Sequence, residues 1–117
     1  MILHITSKQE WHEAQARGEY IAPSLASEGF IHFSTDQQVL KVANAFYHGR
    51  TDLVVLVVDE TRLQPEVKWE APAGPPAETI SEADLFPHVY GPLHLDAVES
   101  VLEFPPEADG IWRSLPL

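Results

Sequence analysis

Apolar and polar side chains alternate at the amino end of this chain: Leu3 and Ile5 fall on one face of an extended segment, and Ile2, His4 and Thr6 on the other. That period of two predicts a strand over residues 2–6. The pattern then changes. Ser7-Lys8-Gln9-Glu10 has the form of a capping box, and a helix to about Arg17 would carry Trp11 and Ala14 inward, with Gly18 placed to end it. Residues 19–22 read as a short extended piece stopped by Pro23, and residues 24–29 as a small, polar, mobile loop. Alternation returns in Phe30-Ile31-His32-Phe33-Ser34-Thr35, where Phe30, His32 and Ser34 share one face and Ile31 and Phe33 the other.

Ser34 or Thr35 is placed to cap a second helix, with Gln37 or Gln38 at the box position. Its apolar stripe is Val39, Leu40, Val42, Ala43 and Phe46, and Gly49 closes it. Leu53-Val54-Val55-Leu56-Val57-Val58 is a continuous β-branched run, too short for a membrane, and reads as a central strand buried on both faces. Residues 67–70 predict another strand. Pro72, Gly74, Pro75 and Pro76 make residues 71–84 an exposed loop, placed to act as a lid. Pro87 and Pro92 exclude a helix around Phe86-Pro87-His88-Val89-Tyr90 and suggest an edge strand or bend. A last strand over 97–104 ends at Pro105-Pro106, after which Ile111 and Trp112 pack back on the core. Two helices near the amino end followed mostly by strands define an α+β domain, and 117 residues suffice for one such domain.

Charge narrows the function classes. Eighteen acids against seven bases give a formal net charge of −11, and the four arginines are scattered. That balance opposes binding to nucleic acid, where Lys and Arg must replace phosphate counterions. Without cysteine there is no thiolate metal site, disulfide or cysteine nucleophile. The amino terminus predicts neither a secretory signal nor a membrane span, which makes the cytoplasm the expected compartment.

Six histidines raise the question of metal, but no pair has the helical i, i+4 spacing of a zinc-protease helix, so no metal is expected. His12 reads as solvent-facing, and His48, in the last turn before Gly49, as a residue placed to favour the helix dipole when protonated; both read as structural. His4 and His32 differ, because each lies in a strand pattern opposite a clean apolar pair and has a hydroxyl two positions on, Thr6 and Ser34. They read equally as hydrogen-bonded residues of a half-buried sheet or as the lining of a cleft. His88 and Tyr90 repeat the spacing, with Tyr90 offering either a stacking surface or a core aromatic beside Phe86. No Gly-x-Ser-x-Gly elbow, phosphate loop or dinucleotide glycine motif is present.

Leu3-His4-Ile5-Thr6, Trp11, Gly18-Glu19-Tyr20, Gly29 to Thr35, Asp59, Trp69-Glu70 and Phe86 to Leu93 together resemble the uncharacterised bacterial family called domain of unknown function 952. The resemblance spans nearly the whole chain. It implies a fold near that of the ADP-ribosyltransferases, a split two-sheet α+β architecture that holds NAD in a cleft. It further implies that His4 holds a ribose hydroxyl, that His32 and Ser34 match a histidine and serine of the RNA 2′-phosphotransferase branch, and that Glu70 stands nearest to the transferase glutamate. The arginines of the phosphotransferase branch have no assignable counterpart. The expected site is therefore a small-molecule cleft of His4, Thr6, His32, Ser34, His88 and Tyr90, with His32 and Glu70 closest to any chemistry. The alternatives are a noncatalytic binder of a small metabolite and a metal-dependent hydrolase using strand histidines.

Overall fold

The computed structural model describes residues 1–78 and 80–116. Eight strands, β1 (Ile2–Ser7), β2 (Glu19–Tyr20), β3 (Ile31–His32), β4 (Leu53–Val58), β5 (Val67–Glu70), β6 (Phe86–Val89), β7 (Leu93–His94) and β8 (Val98–Glu103), are joined by α1 (Lys8–Arg17), α2 (Ser24–Ser27) and α3 (Val39–Phe46). The architecture is α+β. Among the described residues the strands form antiparallel sheets ordered β1-β4-β8, β2-β7 and β3-β6-β5. None of the described helices is long and apolar enough to cross a membrane.

The apolar run of β4 occupies the centre of the first sheet and is buried along its length, as its β-branched composition predicts. Alternation sends Val54, Leu56 and Val58 to a core shared with Ile2, Ala14, Tyr20, Ile31 and Phe33. Leu53, Val55 and Val57 face a second core with Leu3, Ile5, Val39, Ala43, Phe104 and Trp112. The same alternation in β1 therefore puts His4 and Thr6 on the side of the first core, beside the FIHFST segment. A backbone bridge fixes that neighbourhood: the Leu3 N–H donates to the Ser34 carbonyl at 2.8 Å, and the Ser34 N–H returns the bond at 2.7 Å.

Several local expectations need correction. The expected loop at 24–29 contains the single helical turn α2, whose Ser24 hydroxyl donates to the Phe30 carbonyl at 2.6 Å. Gly29, at φ 89°, then turns the chain into β3, a conformation that disfavours a Cβ. The capping box of α1 is only half made. Ser7 accepts from the Glu10 N–H at 3.0 Å, but the Glu10 carboxylate turns instead to Thr6 and Tyr20. At α3 the helix begins three residues later than a Thr35 cap would place it and four later than a Ser34 cap. Gln38 accepts from the Thr35 N–H at 3.0 Å and donates to the Leu85 carbonyl at 2.8 Å, tying the helix to the entrance of β6.

The largest difference is β6, expected at an edge or in a bend and found at the centre of the third sheet. Pro87 is tolerated there because the β3 ladder ends beside it. The Phe33 N–H donates to the Pro87 carbonyl at 3.0 Å, and proline has no N–H to return the bond. Centrality places His88 directly opposite His32 in the register.

The carboxyl-terminal segment straps the second core. Asn44 donates to the Trp112 carbonyl and accepts from its N–H, both at 2.8 Å, and the Trp112 ring stacks on Phe104. Asn44→Ala is expected to cost about 1–3 kcal/mol, because both backbone groups of Trp112 lose their partner. Urea denaturation followed by tryptophan fluorescence checks this.

Candidate functional site

A cavity of about 420 Å³ opens where β1, β3 and β6 converge, and residues from α1, α2 and the end of α3, with residues 72–75 and Ile80, complete its wall. His4, Thr6, His32, Ser34 and His88 all line it. Five of the seven expected site residues thus meet in one place, although they come from three separate stretches of chain.

His4 is buried and engaged at both ring nitrogens. Nδ1 faces the His32 carbonyl, which only accepts, so Nδ1 carries the proton. Nε2 is then the acceptor of the Tyr20 hydroxyl, 2.7 Å away. Thr6 lies 3.0 Å from the Tyr20 oxygen and donates to Glu10 at 3.1 Å. Burial lowers the His4 pKa from 6.5 to about 4, against the opposing effect of its bond to the His32 carbonyl. Burial also raises the Tyr20 phenol well above its ordinary value. His4, Thr6, Tyr20 and Glu10 are thus a neutral imidazole and two hydroxyls anchored on a carboxylate. In this arrangement His4 offers no free nitrogen to a ribose hydroxyl.

His88 is the opposite case. Its Nδ1 lies 2.8 Å from Glu70 Oε1, and the Tyr90 hydroxyl donates to the same oxygen. These two bonds hold the Glu70 carboxyl below the usual carboxylate range, while the bond to Glu70 raises the Tyr90 phenol. Phe30 stacks on the His88 ring at 4.1 Å and 16° and fixes its plane. His88 Nε2 is buried and has no hydrogen-bond partner among the described residues. Buried polar atoms are almost always paired, so this nitrogen, on a residue of the cavity wall, stands out by lacking a partner. With Nδ1–H given to Glu70, Nε2 presents a lone pair when the ring is neutral and a second N–H when it is cationic.

Glu70 and Tyr90 do not line the cavity; both stand behind His88. Tyr90 presents its ring to Lys68, whose Nζ lies 4.7 Å from the ring centroid, and to Phe30 at 5.3 Å. The expected Tyr90 stacking surface for a ligand is therefore turned to protein neighbours, and Glu70 acts on the imidazole in place of the cavity. His32 sits across the ladder from His88 with ring centroids 5.5 Å apart at 74°, and its Nε2 contacts Glu28 beyond the end of α2.

Sequence reasoning missed Tyr20, Glu28 and the far end of the cavity, where Phe46, Tyr47 and Arg50 lie. Arg50 is the only Lys or Arg among the lining residues, and Asp52 holds it through bonds of 3.0 and 2.7 Å. Glu10 had been legible only as a cap. Among the described residues no three His, Asp or Glu side chains stand close enough to share a metal ion.

Fold and site together define an α+β protein with a cavity and a carboxylate-held histidine on its wall. Residues 5–101 match the family described as "Protein of unknown function (DUF952)", and the chain belongs to that family. It is similar to the protein CC0527 from Caulobacter crescentus, whose crystal structure has a TM-score of 0.80 at 32% identity, with 96% of this chain and 92% of that one covered. The solution NMR structure of CC0527 gives a TM-score of 0.77 at 31% identity over 96% and 90% of the two chains. No curated protein matches the chain.

Proposed function

We propose that the cavity binds NAD or a related ADP-ribose-containing nucleotide and that the protein transfers the ribosyl group held against His88. The unpaired, buried Nε2 of His88 is the observation that carries this reading. A ribose offers hydroxyls for such an atom, and His32 and Ser34 lie on the same wall. The resemblance to ADP-ribosyltransferases adds support: two three-stranded sheets meet beside the cavity, in keeping with a split-sheet fold.

In the transfer, the bond from the sugar carbon to the nicotinamide nitrogen breaks, and its electron pair leaves with the ring. The acceptor's oxygen bonds to the sugar carbon and gives its proton to His88 Nε2. Glu70 keeps the imidazole in the tautomer that can take that proton and stabilises the imidazolium formed. The diphosphate would have Arg50 as its cationic neighbour.

A second reading has its own support. Glu70 lies outside the cavity and His4 is satisfied within the protein, so a binder without transferase chemistry accommodates the same wall. Calorimetric titration with NAD, ADP-ribose and nicotinamide, followed by a nicotinamide-release assay, decides between them. Saturable binding of NAD and ADP-ribose with release is the expected result. Binding without release over hours selects the binder, and failure of all three ligands to bind contradicts the nucleotide reading.

A further inference from the structure

His32 and His88 form a cross-strand pair on one face of the third sheet, and each has its own carboxylate. In the β3–β6 register they are direct partners, and their rings meet edge to face 5.5 Å apart. Glu70 takes Nδ1 of His88, and Glu28 takes Nε2 of His32. The nitrogens left over are Nε2 of the buried ring and Nδ1 of the half-exposed one. Phe30 contacts both rings, at 4.1 and 4.9 Å, and holds them in register.

We infer that His32 and His88 act as an acid–base couple on one substrate. The inference rests on the nucleotide reading for its ligand and extends the substrate class: the bond cleaved joins an ADP-ribosyl group to an oxygen whose departure requires a proton. Nicotinamide leaves a ribose as a neutral base and needs no acid, so a second imidazole would be idle against NAD. An O-linked ribosyl group uses both. Water gives a proton to Nε2 of neutral His88 as its oxygen bonds to the anomeric carbon. The carbon–oxygen bond breaks with its electron pair on the leaving oxygen, which takes the proton from Nδ1 of cationic His32. The products are free ADP-ribose and the alcohol, and solvent exchange restores the two rings. His32 and His88 are the catalytic residues; Glu28 and Glu70 are positioning residues.

The charged and titratable neighbours of the couple are few. Glu28, just after α2, and buried His4 from β1 adjoin His32. Glu70 and Lys68 from β5, with Tyr90 just after β6, stand around His88. His88 thus has two direct partners in the ladder, His32 from β3 and Lys68 from β5.

The test uses the full chain and ADP-ribose carrying an O-phenyl group at its anomeric carbon, with phenol release followed from pH 5 to 9. A bell-shaped profile is expected, since one ring must be neutral and the other cationic. His32→Gln should lower kcat at least about 100-fold and remove the alkaline limb while leaving affinity within about threefold. Glu28→Gln and Glu70→Gln should move one limb each, which a purely structural role would not do. A flat profile, unchanged limbs, or a bound probe that releases no phenol overturns the inference. Calorimetry of the probe separates that failure from failure of the nucleotide reading, which shows as no binding. A substrate-free measurement stands beside it: nitrogen-15 histidine NMR should show Nδ1–H on neutral His88 and Nε2–H on neutral His32. The opposite tautomer on either ring overturns the couple whatever the cavity binds.

Discussion

His88→Asn is expected to weaken binding of NAD or ADP-ribose by about five- to 150-fold, equivalent to roughly 1–3 kcal/mol for a buried hydrogen bond removed from one side. Asparagine places an N–H near the position of Nδ1 and so keeps a donor for Glu70, but it has nothing at Nε2. His88→Gln reverses the trade: its amide reaches toward Nε2 while Glu70 loses its partner. Binding should therefore fall further in the asparagine variant. The two variants give up similar stacking on Phe30, so their stabilities should resemble each other even as their affinities part. Calorimetry for affinity and thermal denaturation for stability make the comparison. Equal affinities would mean that Nε2 meets no ligand.

Acid is expected to destabilise this protein through His4 before most of its carboxylates are protonated. The His4 pKa is about 4 in the fold, against 6.5 for the exposed group. Between those values the unfolded chain binds a proton that the native state refuses, so stability rises with pH across the window. The His4 contribution is complete above pH 6.5 and is lost as the pH falls toward 4. At about 1.4 kcal/mol per unit, the loss approaches about 3 kcal/mol. The carboxyls held low by their partners, among them Asp52, Asp59, Glu70 and Asp109, lose their contributions at lower pH. His4→Asn keeps a donor for the His32 carbonyl and cannot be protonated in this range. Urea denaturation at pH 7, 5.5 and 4.5 should show a difference between wild type and variant that narrows as pH falls. A constant difference would place the buried charge elsewhere.

The elements that the sequence made legible are those whose pattern is local. The β4 run, the β1 alternation and the Ser7 and Gly18 ends of α1 follow from period and cap chemistry over a few residues. What stayed hidden depends on pairings far apart in the chain. Pro87 reads locally as an edge residue, and only the early end of β3 makes it a central one. Tyr20 lies in a two-residue strand, and its hydroxyl reaches His4 and Thr6 only because the fold brings residues 14 and 16 positions apart together. Glu70 and Tyr90 were legible as members of the site, but their side relative to His88 depends on how β5 pairs with β6. Glu28 follows the same logic: placed in an expected loop, it becomes a histidine partner only because α2 turns back over β3.

The central claim is that a ligand enters the cavity and bonds to His88 Nε2. The direct measurement is histidine-selective nitrogen-15 NMR of the full chain during titration with ADP-ribose. The predicted result is a saturable shift of the His88 Nε2 resonance, accompanied by His32 and by backbone amides of β3 and β6, while His12 and His94, exposed on the surface, stay still. A His88 Nε2 resonance that remains fixed while ADP-ribose binds would contradict the account.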